Sequence, residues 1–325
     1  MRALICKEYG PPETLVLGEL PSPPLGAKDV RIRVRACGVN FPDLLIIQNK
    51  YQVKPQLPFA PGGEVAGEVL EVGSEVRRIR PGDKVMALTG YGGFAEEVVV
   101  DEHRVLPMPD GMDFVTAAGF TMVYGTTYHA LVQRASIQAA ETLVVLGAAG
   151  GVGLAAVELG KVFGARVIAC ASSEEKLRTA REHGADELVD YRREDLKERI
   201  KALTDGKGAD VCFDPVGGDA FDAMARSMNW NGRLLVIGFA SGRIPQLPVN
   251  LPLLKGYQVV GVFWGAFVAR EPETNRRNFA HLFELYAAGR IRPHVSHTYP
   301  LEQAARALDD LSARRAIGKI VVTIE

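Results

Sequence analysis

Leu143-Val-Val-Leu146-Gly147-Ala-Ala-Gly150-Gly151-Val152-Gly153-Leu-Ala-Ala-Val-Glu-Leu159-Gly-Lys-Val-Phe163 is the stretch of this 325-residue chain that decides its fold. Leu143–Leu146 is a short, uninterrupted apolar run, the mark of a strand covered on both faces. A glycine-rich turn follows. After it Val152, Ala155, Ala156, Leu159 and Phe163 recur at helical spacing. Glycines between a buried strand and a helix let the chain turn tightly. They also let backbone N–H groups and the positive end of the helix approach a pyrophosphate. Gly147, Gly150, Gly151, Val152 and Gly153 are therefore candidate cofactor contacts, against the plainer reading of a tight turn with no ligand.

Downstream the same grammar repeats. Arg166–Ala171 reads as a second buried strand. Ser172 is expected to open the next helix, with Glu175 completing a capping box and Gly184 closing it. Glu187–Asp190, Ala209–Asp214 and Arg233–Gly238 read as further strands, with helical stretches at 194–203 and 219–228. Regular strand–helix alternation means an α/β domain with a doubly wound parallel sheet. The tip of its second strand selects the cofactor. An NAD site needs a carboxylate there for the ribose 2′-hydroxyl, and this chain has Cys170-Ala-Ser172-Ser173. Two hydroxyls with Lys176 one turn on suit a 2′-phosphate, hence NADPH, although Ser172 also fits a plain helix cap. Tyr191 is placed to offer adenine an aromatic surface.

Residues 1 to about 123 read differently, as a mostly β region. Val30–Ala36 alternates apolar and polar residues, Glu64–Val72 does so with Gly67 at an expected bulge, and Lys84–Leu88 and Ala95–Val100 continue the set. Beyond Phe263 come two amphipathic helices, Thr274–Ala288 and Leu301–Leu311, and a closing strand, Lys319–Ile324. Periodicity leaves open whether these form a third piece or return to the first.

Apolar residues make up 47% and charged residues 24%, and 38 basic against 39 acidic side chains give a net charge of −1. That balance carries no basic nucleic-acid footprint. The longest nearly uncharged apolar run, Leu143–Val157, is shorter than the roughly 20 residues that span a bilayer. Met1–Gly10 carries Lys7 and Glu8 and lacks a signal-peptide apolar region. The four cysteines, Cys6, Cys37, Cys170 and Cys212, form no C-x-x-C pair and read as small buried apolar residues. A cytoplasmic protein without nucleic-acid or membrane partners is expected.

With Cys37-Gly-Val-Asn-Phe-Pro-Asp43, Pro61-Gly-Gly-Glu-Val-Ala-Gly67, Arg80-Pro-Gly-Asp83, the glycine turn and Gly318-Lys-Ile-Val-Val322, the whole chain resembles the medium-chain dehydrogenase/reductase superfamily, and within it the zinc-free quinone oxidoreductase, zeta-crystallin-like branch. The resemblance implies a discontinuous GroES-like catalytic domain, residues 1–123 and 264–325, and a Rossmann NADP-binding domain, residues 124–263. It also implies a homodimer through the edge strand Val259–Phe263. It places Asn40, Asp43 and Tyr51 in a nicotinamide-facing pocket, with Tyr51 as the donor to a developing oxyanion. The alternative is that Asn40 and Asp43 pin the loop 38–48. By the same resemblance Thr127, Gly238, Phe239, Phe263 and Trp264 lie at the nicotinamide end of the cofactor. Arg314 lies near the 2′-phosphate, or else is simply a helix C-terminal charge.

Zinc alcohol dehydrogenases of this superfamily bear ligands where this chain has Asn40, Gly63 and, approximately, Ala118, none of which binds zinc. No metal is therefore expected. Hydride reduction of a quinone needs only donors for the developing oxyanion and a proton. A quinone is the expected acceptor. An enone, 2-alkenal or acryloyl-CoA-type substrate on the same scaffold is the alternative, and an NADPH-binding, crystallin-like protein with little turnover is the non-enzymatic one.

Overall fold

The computed structural model describes residues 1–325. The chain forms two compact units, Met1–Met122 with Pro293–Glu325, and Val123–Arg292. Strands β1 (Arg2–Ile5) and β2 (Val16–Glu19) pair as an antiparallel ribbon. β3 (Asp29–Val39) runs into the short helix α1 (Phe41–Ile47). After it come β4 (Glu64–Val72), β5 (Lys84–Leu88), β6 (Glu97–Asp101), β7 (Val105–Pro107) and helix α2 (Phe114–Ala118). The bulges between β3 and β4 fall at Arg35 and Leu70, the residues their register skips, and not at Gly67. Gly67 serves a different need, because a Cβ there would strike the Arg33 carbonyl.

Helix α3 (Thr121–Tyr128) continues into a π-helical turn, His129–Arg134. The parallel sheet is built from β8 (Thr142–Leu146), α4 (Gly151–Val162), β9 (Arg166–Ala171), α5 (Glu174–Glu182), β10 (Glu187–Asp190), α6 (Leu196–Leu203), β11 (Ala209–Asp214), α7 (Gly218–Ala225), β12 (Met228–Val236), α8 (Asn250–Lys255) and β13 (Gln258–Gly261). Its order is β10-β9-β8-β11-β12-β13, every neighbour parallel. Val144, Leu146, Ile168, Cys170, Cys212 and Leu234 fill its core, each fully buried apolar side chain stabilising the fold by roughly 1.5–3 kcal/mol. β12 ends at Val236, two residues before the expected end at Gly238, and begins five residues earlier than Arg233.

Helices α9 (Trp264–Arg270) and α10 (Pro272–Ala287) belong to this same unit, so the expected return at residue 264 is corrected to one after Arg292. The reason is packing. A Cβ on Gly125 of α3 would sit 2.5 Å from the Trp264 ring, His129 stacks on Phe267 at 4.0 Å, and Gln133 exchanges amide hydrogen bonds with Asn278. An amphipathic helix shows that it has a partner, not which one.

β14 (Val295–Pro300), α11 (Ala304–Ser312) and β15 (Lys319–Thr323) then complete the first unit. Its main sheet runs β14-β15-β3-β4-β5-β7, with β6 also on β3. Ile32, Val34, Val65, Val85, Ile320 and Val322 are among its buried core, which Leu308 of α11 joins. All four cysteines are buried and unpaired, and burial pushes each thiol upward. No helix is long and apolar enough to cross a membrane.

Candidate active site

In the parallel sheet β8 and β11 are neighbours whose successors lie on opposite sides, which makes their C-terminal ends a topological switch point. The glycine turn leaves β8 there. Gly147 adopts φ +57, Gly150 is the N-cap of α4 without a side-chain cap, and the helix starts at Gly151. A Cβ on Gly153 would strike the Gly147 carbonyl and lie 2.8 Å from Ala148 Cα, so this glycine is what lets α4 close onto its turn. Gly150 is different: a Cβ there would meet only the Gly147 oxygen, at 3.4 Å. The protein's own packing does not demand a glycine at 150.

The opposite wall follows β11. Asp214 is buried and accepts from the N–H groups of Val216 and Gly217 at 2.7 and 2.9 Å. Burial pushes it up to about 6 against those two bonds. Val216 faces Gly147, and Gly217 lies against the ring of Phe239, so Gly147, Gly238 and Phe239 share one end of the sheet. The Thr127 hydroxyl is buried and donates to Val152 O at 3.2 Å, tying α3 to the turn. Phe263 follows β13 with its side chain exposed, whereas Trp264 is a core residue whose Nε1 donates to Asn275.

At the tip of β9 the cap is Ser173, not Ser172. Its Oγ accepts from Lys176 N–H at 3.4 Å and α5 begins at Glu174. This leaves Ser172 between strand and cap, with Lys176 in the first turn. Tyr191, at the end of β10, donates its N–H to Ala171 O. Arg314 belongs to the other unit, at φ +57 just past α11, with its N–H on Leu311 O.

In the first unit Asn40 follows β3 and caps α1, its N–H held by the Asp43 carboxylate at 2.8 Å. Its amide nitrogen donates to Gly38 O and to Glu64 Oε2, at 3.1 and 2.7 Å, and its oxygen accepts from Lys319 Nζ at 2.7 Å. Lys319 also donates to Val39 O and to Glu64 Oε2, at 2.9 and 3.2 Å. Met122 N–H reaches the other Glu64 oxygen. All three side chains are buried, Glu64 completely. Both N–H groups of the Asn40 amide and all three of the Lys319 ammonium thus have acceptors inside the protein. Asn40 is a fixed linker in a buried ion-pair network and has only an acceptor lone pair left.

Asp43 is fully buried, and its Oδ1, near Gly63, has no hydrogen-bond partner. Burial pushes this carboxyl up to about 7, while the Asn40 N–H and the Lys319 ammonium work against that rise. Tyr51 is half-buried, and burial followed by the Asp43 charge raises its phenol, so it remains a hydroxyl donor at neutral pH. Sequence reasoning missed the roles of Glu64 and Lys319. The available signal was a lysine opening an otherwise apolar strand, Lys319-Ile-Val-Val. No cluster of three or more His, Cys, Asp or Glu side chains capable of holding a metal ion is formed.

Two family profiles match, that of the alcohol dehydrogenase GroES-like domain over residues 26–110 and that of the zinc-binding dehydrogenases over residues 151–283. The chain is 41% identical to a quinone oxidoreductase-like protein 2 homolog of Nematostella vectensis, over 99% of this chain and 88% of that one. It is 39% identical to a quinone oxidoreductase of Pseudomonas aeruginosa, over 97% of each. The crystal structure of Escherichia coli quinone oxidoreductase complexed with NADPH superposes with a TM-score of 0.93 at 29% identity, covering 99% of this chain and 100% of that one. A glycine turn at the switch point of one unit and a GroES-like second unit agree with these likenesses: the chain belongs to the medium-chain dehydrogenase/reductase superfamily, in its zinc-free quinone oxidoreductase branch.

Proposed function

We propose that this chain is an NADPH-dependent oxidoreductase that reduces a quinone without a metal ion. The observation that carries the reading is the side chain-free cap at Gly150, with first-turn N–H groups at the switch point and Ser172, Ser173 and Lys176, rather than a carboxylate, at the tip of β9. The turn suits a pyrophosphate and the serine–lysine group a 2′-phosphate. NADPH, when bound, supplies the hydride. Reduction of a quinone then requires a donor to the oxygen that gains charge, and a proton.

Counting donors supports one division of these tasks. Asn40 and Lys319 have none to spare: the Asn40 amide N–H groups go to Gly38 O and Glu64, and the Lys319 ammonium to Val39 O, the Asn40 oxygen and Glu64. Asp43 is too buried to touch a substrate. Tyr51, half-buried and kept as a phenol, is left as the donor to the substrate oxygen. Asp43 is a positioning residue that acts through the Asn40 backbone and the electrostatics of Tyr51.

A turnover panel tests this reading: NADPH or NADH with a benzoquinone, a small enone and an enoyl-CoA. Fastest oxidation of NADPH with the quinone is expected. Preference for the enone or enoyl-CoA would reassign the acceptor, and NADPH binding without turnover on any of them would refute the enzymatic reading.

A further inference from the structure

We infer that Glu158 is a positioning residue, a single buried carboxylate that latches both ends of the nucleotide-sheet unit to the helix that starts at the glycine turn. Glu158 lies two turns into α4 and is 5% exposed. One of its oxygens accepts the Tyr124 hydroxyl at 2.7 Å, and the other pairs with His183 Nδ1 at 2.7 Å. Both accept from the backbone N–H of Arg292, at 3.1 and 3.2 Å. The unit begins at Val123 and ends at Arg292. Tyr124 is therefore its second residue and Arg292 its last. His183 is the C-cap of α5, the helix whose N-cap is Ser173. Three segments far apart in sequence share one acceptor on a fourth, α4.

Packing alone gives no reason for a carboxylate here. Leu154, Ala155, Val157 and Leu159 around it are buried, and a leucine at 158 would fill a similar volume at no cost of desolvation. What the carboxylate adds is acceptor capacity for several donors at once. Arg292 N–H leaves the unit outside any helix or strand, where a side chain must stand in for a backbone acceptor. Tyr124 is held as a donor, its phenol pushed well up by burial and by the Glu158 charge. Because the same group ties α4 and α5, order imposed at the glycine turn would be passed to both ends of this unit through Glu158.

Amide hydrogen exchange of the full chain tests this. E158L, which keeps volume and removes every acceptor, is expected to speed exchange about tenfold or more in both 121–128 and 288–293, the factor that corresponds to losing a hydrogen bond to a charged group. E158Q is expected to restore protection, because its oxygen can accept from Tyr124 and Arg292 and its amide can meet His183. Acceleration in neither segment, in only one, or to the same extent in both variants would overturn the inference. Should E158L not fold, Y124F must still speed exchange in 121–128, and no change there overturns it. A second arm, resting on the NADPH reading, adds saturating NADPH to the wild type. Slowing in both segments is expected, and E158L should abolish it. Binding is followed separately by tryptophan fluorescence, so absence of binding counts against the nucleotide, whereas binding without slowing counts against the latch.

Discussion

Replacing Asp43 by asparagine isolates the cost of the buried carboxyl. The folded chain holds the Asp43 proton up to about pH 7, against an ordinary value of 3.8. The folded state thus binds the proton more tightly than the unfolded one. This contribution to stability is fully present below the ordinary value and is lost as pH rises through about 7. The whole interval corresponds to roughly 4 kcal/mol, and the part between pH 5 and pH 8 to roughly 2–3 kcal/mol. Asparagine keeps the shape and an oxygen for the Asn40 N–H, and does not titrate. Glu64, Lys319, Cys37 and Tyr51, which also act on or feel Asp43, are present in both proteins. Urea unfolding at pH 5 and pH 8 should therefore show the D43N-minus-wild-type stability growing by that amount toward high pH. A difference that stays constant across the range would mean that Asp43 ionises like a surface carboxylate, and the desolvation argument would be wrong.

Other perturbations follow from the same geometry. K319M removes the cation partner of the buried Glu64 side chain and is expected to cost about 3–5 kcal/mol by denaturant titration; adding E64Q should recover most of it, and no recovery would mean that the pair does not act as a unit. G153A puts a methyl group against the Gly147 carbonyl and Ala148 Cα, so fluorescence titration should show NADPH binding at least about tenfold weaker, a change of about 1.4 kcal/mol. S172A and K176A should each weaken NADPH more than NADH, and equal losses would refute the 2′-phosphate assignment. Y51F should lower kcat with a quinone while leaving NADPH affinity unchanged in the same titration.

Much of this protein is legible in one dimension. The run Leu143–Phe163 specifies strand, turn and helix because burial on both faces, glycine at the turn and helical spacing are local properties. β4, β9, β10 and β11 begin and end where the alternation of the sequence places them. The absence of an acid at the tip of β9, between Ala171 and Ser173, is equally local, and so is the cap, although the structure moves it from Ser172 to Ser173, the residue whose hydroxyl lies three before an open N–H. What the tertiary structure alone decided is which distant groups share a partner. Lys319 meets Asn40 and Glu64 only because β15 pairs with β3 and β3 with β4. That pairing brings the Asn40 amide between an acceptor, Glu64, and a donor, Lys319, from two different strands. In the same way, helices 264–287 joined the nucleotide-sheet unit through contacts of Trp264, Phe267 and Asn278 with residues 125–133. Local pattern fixes what each segment must bury or turn. Which charges find one another is set by long-range pairing, whose free energy belongs to the assembled fold and to no window of the sequence.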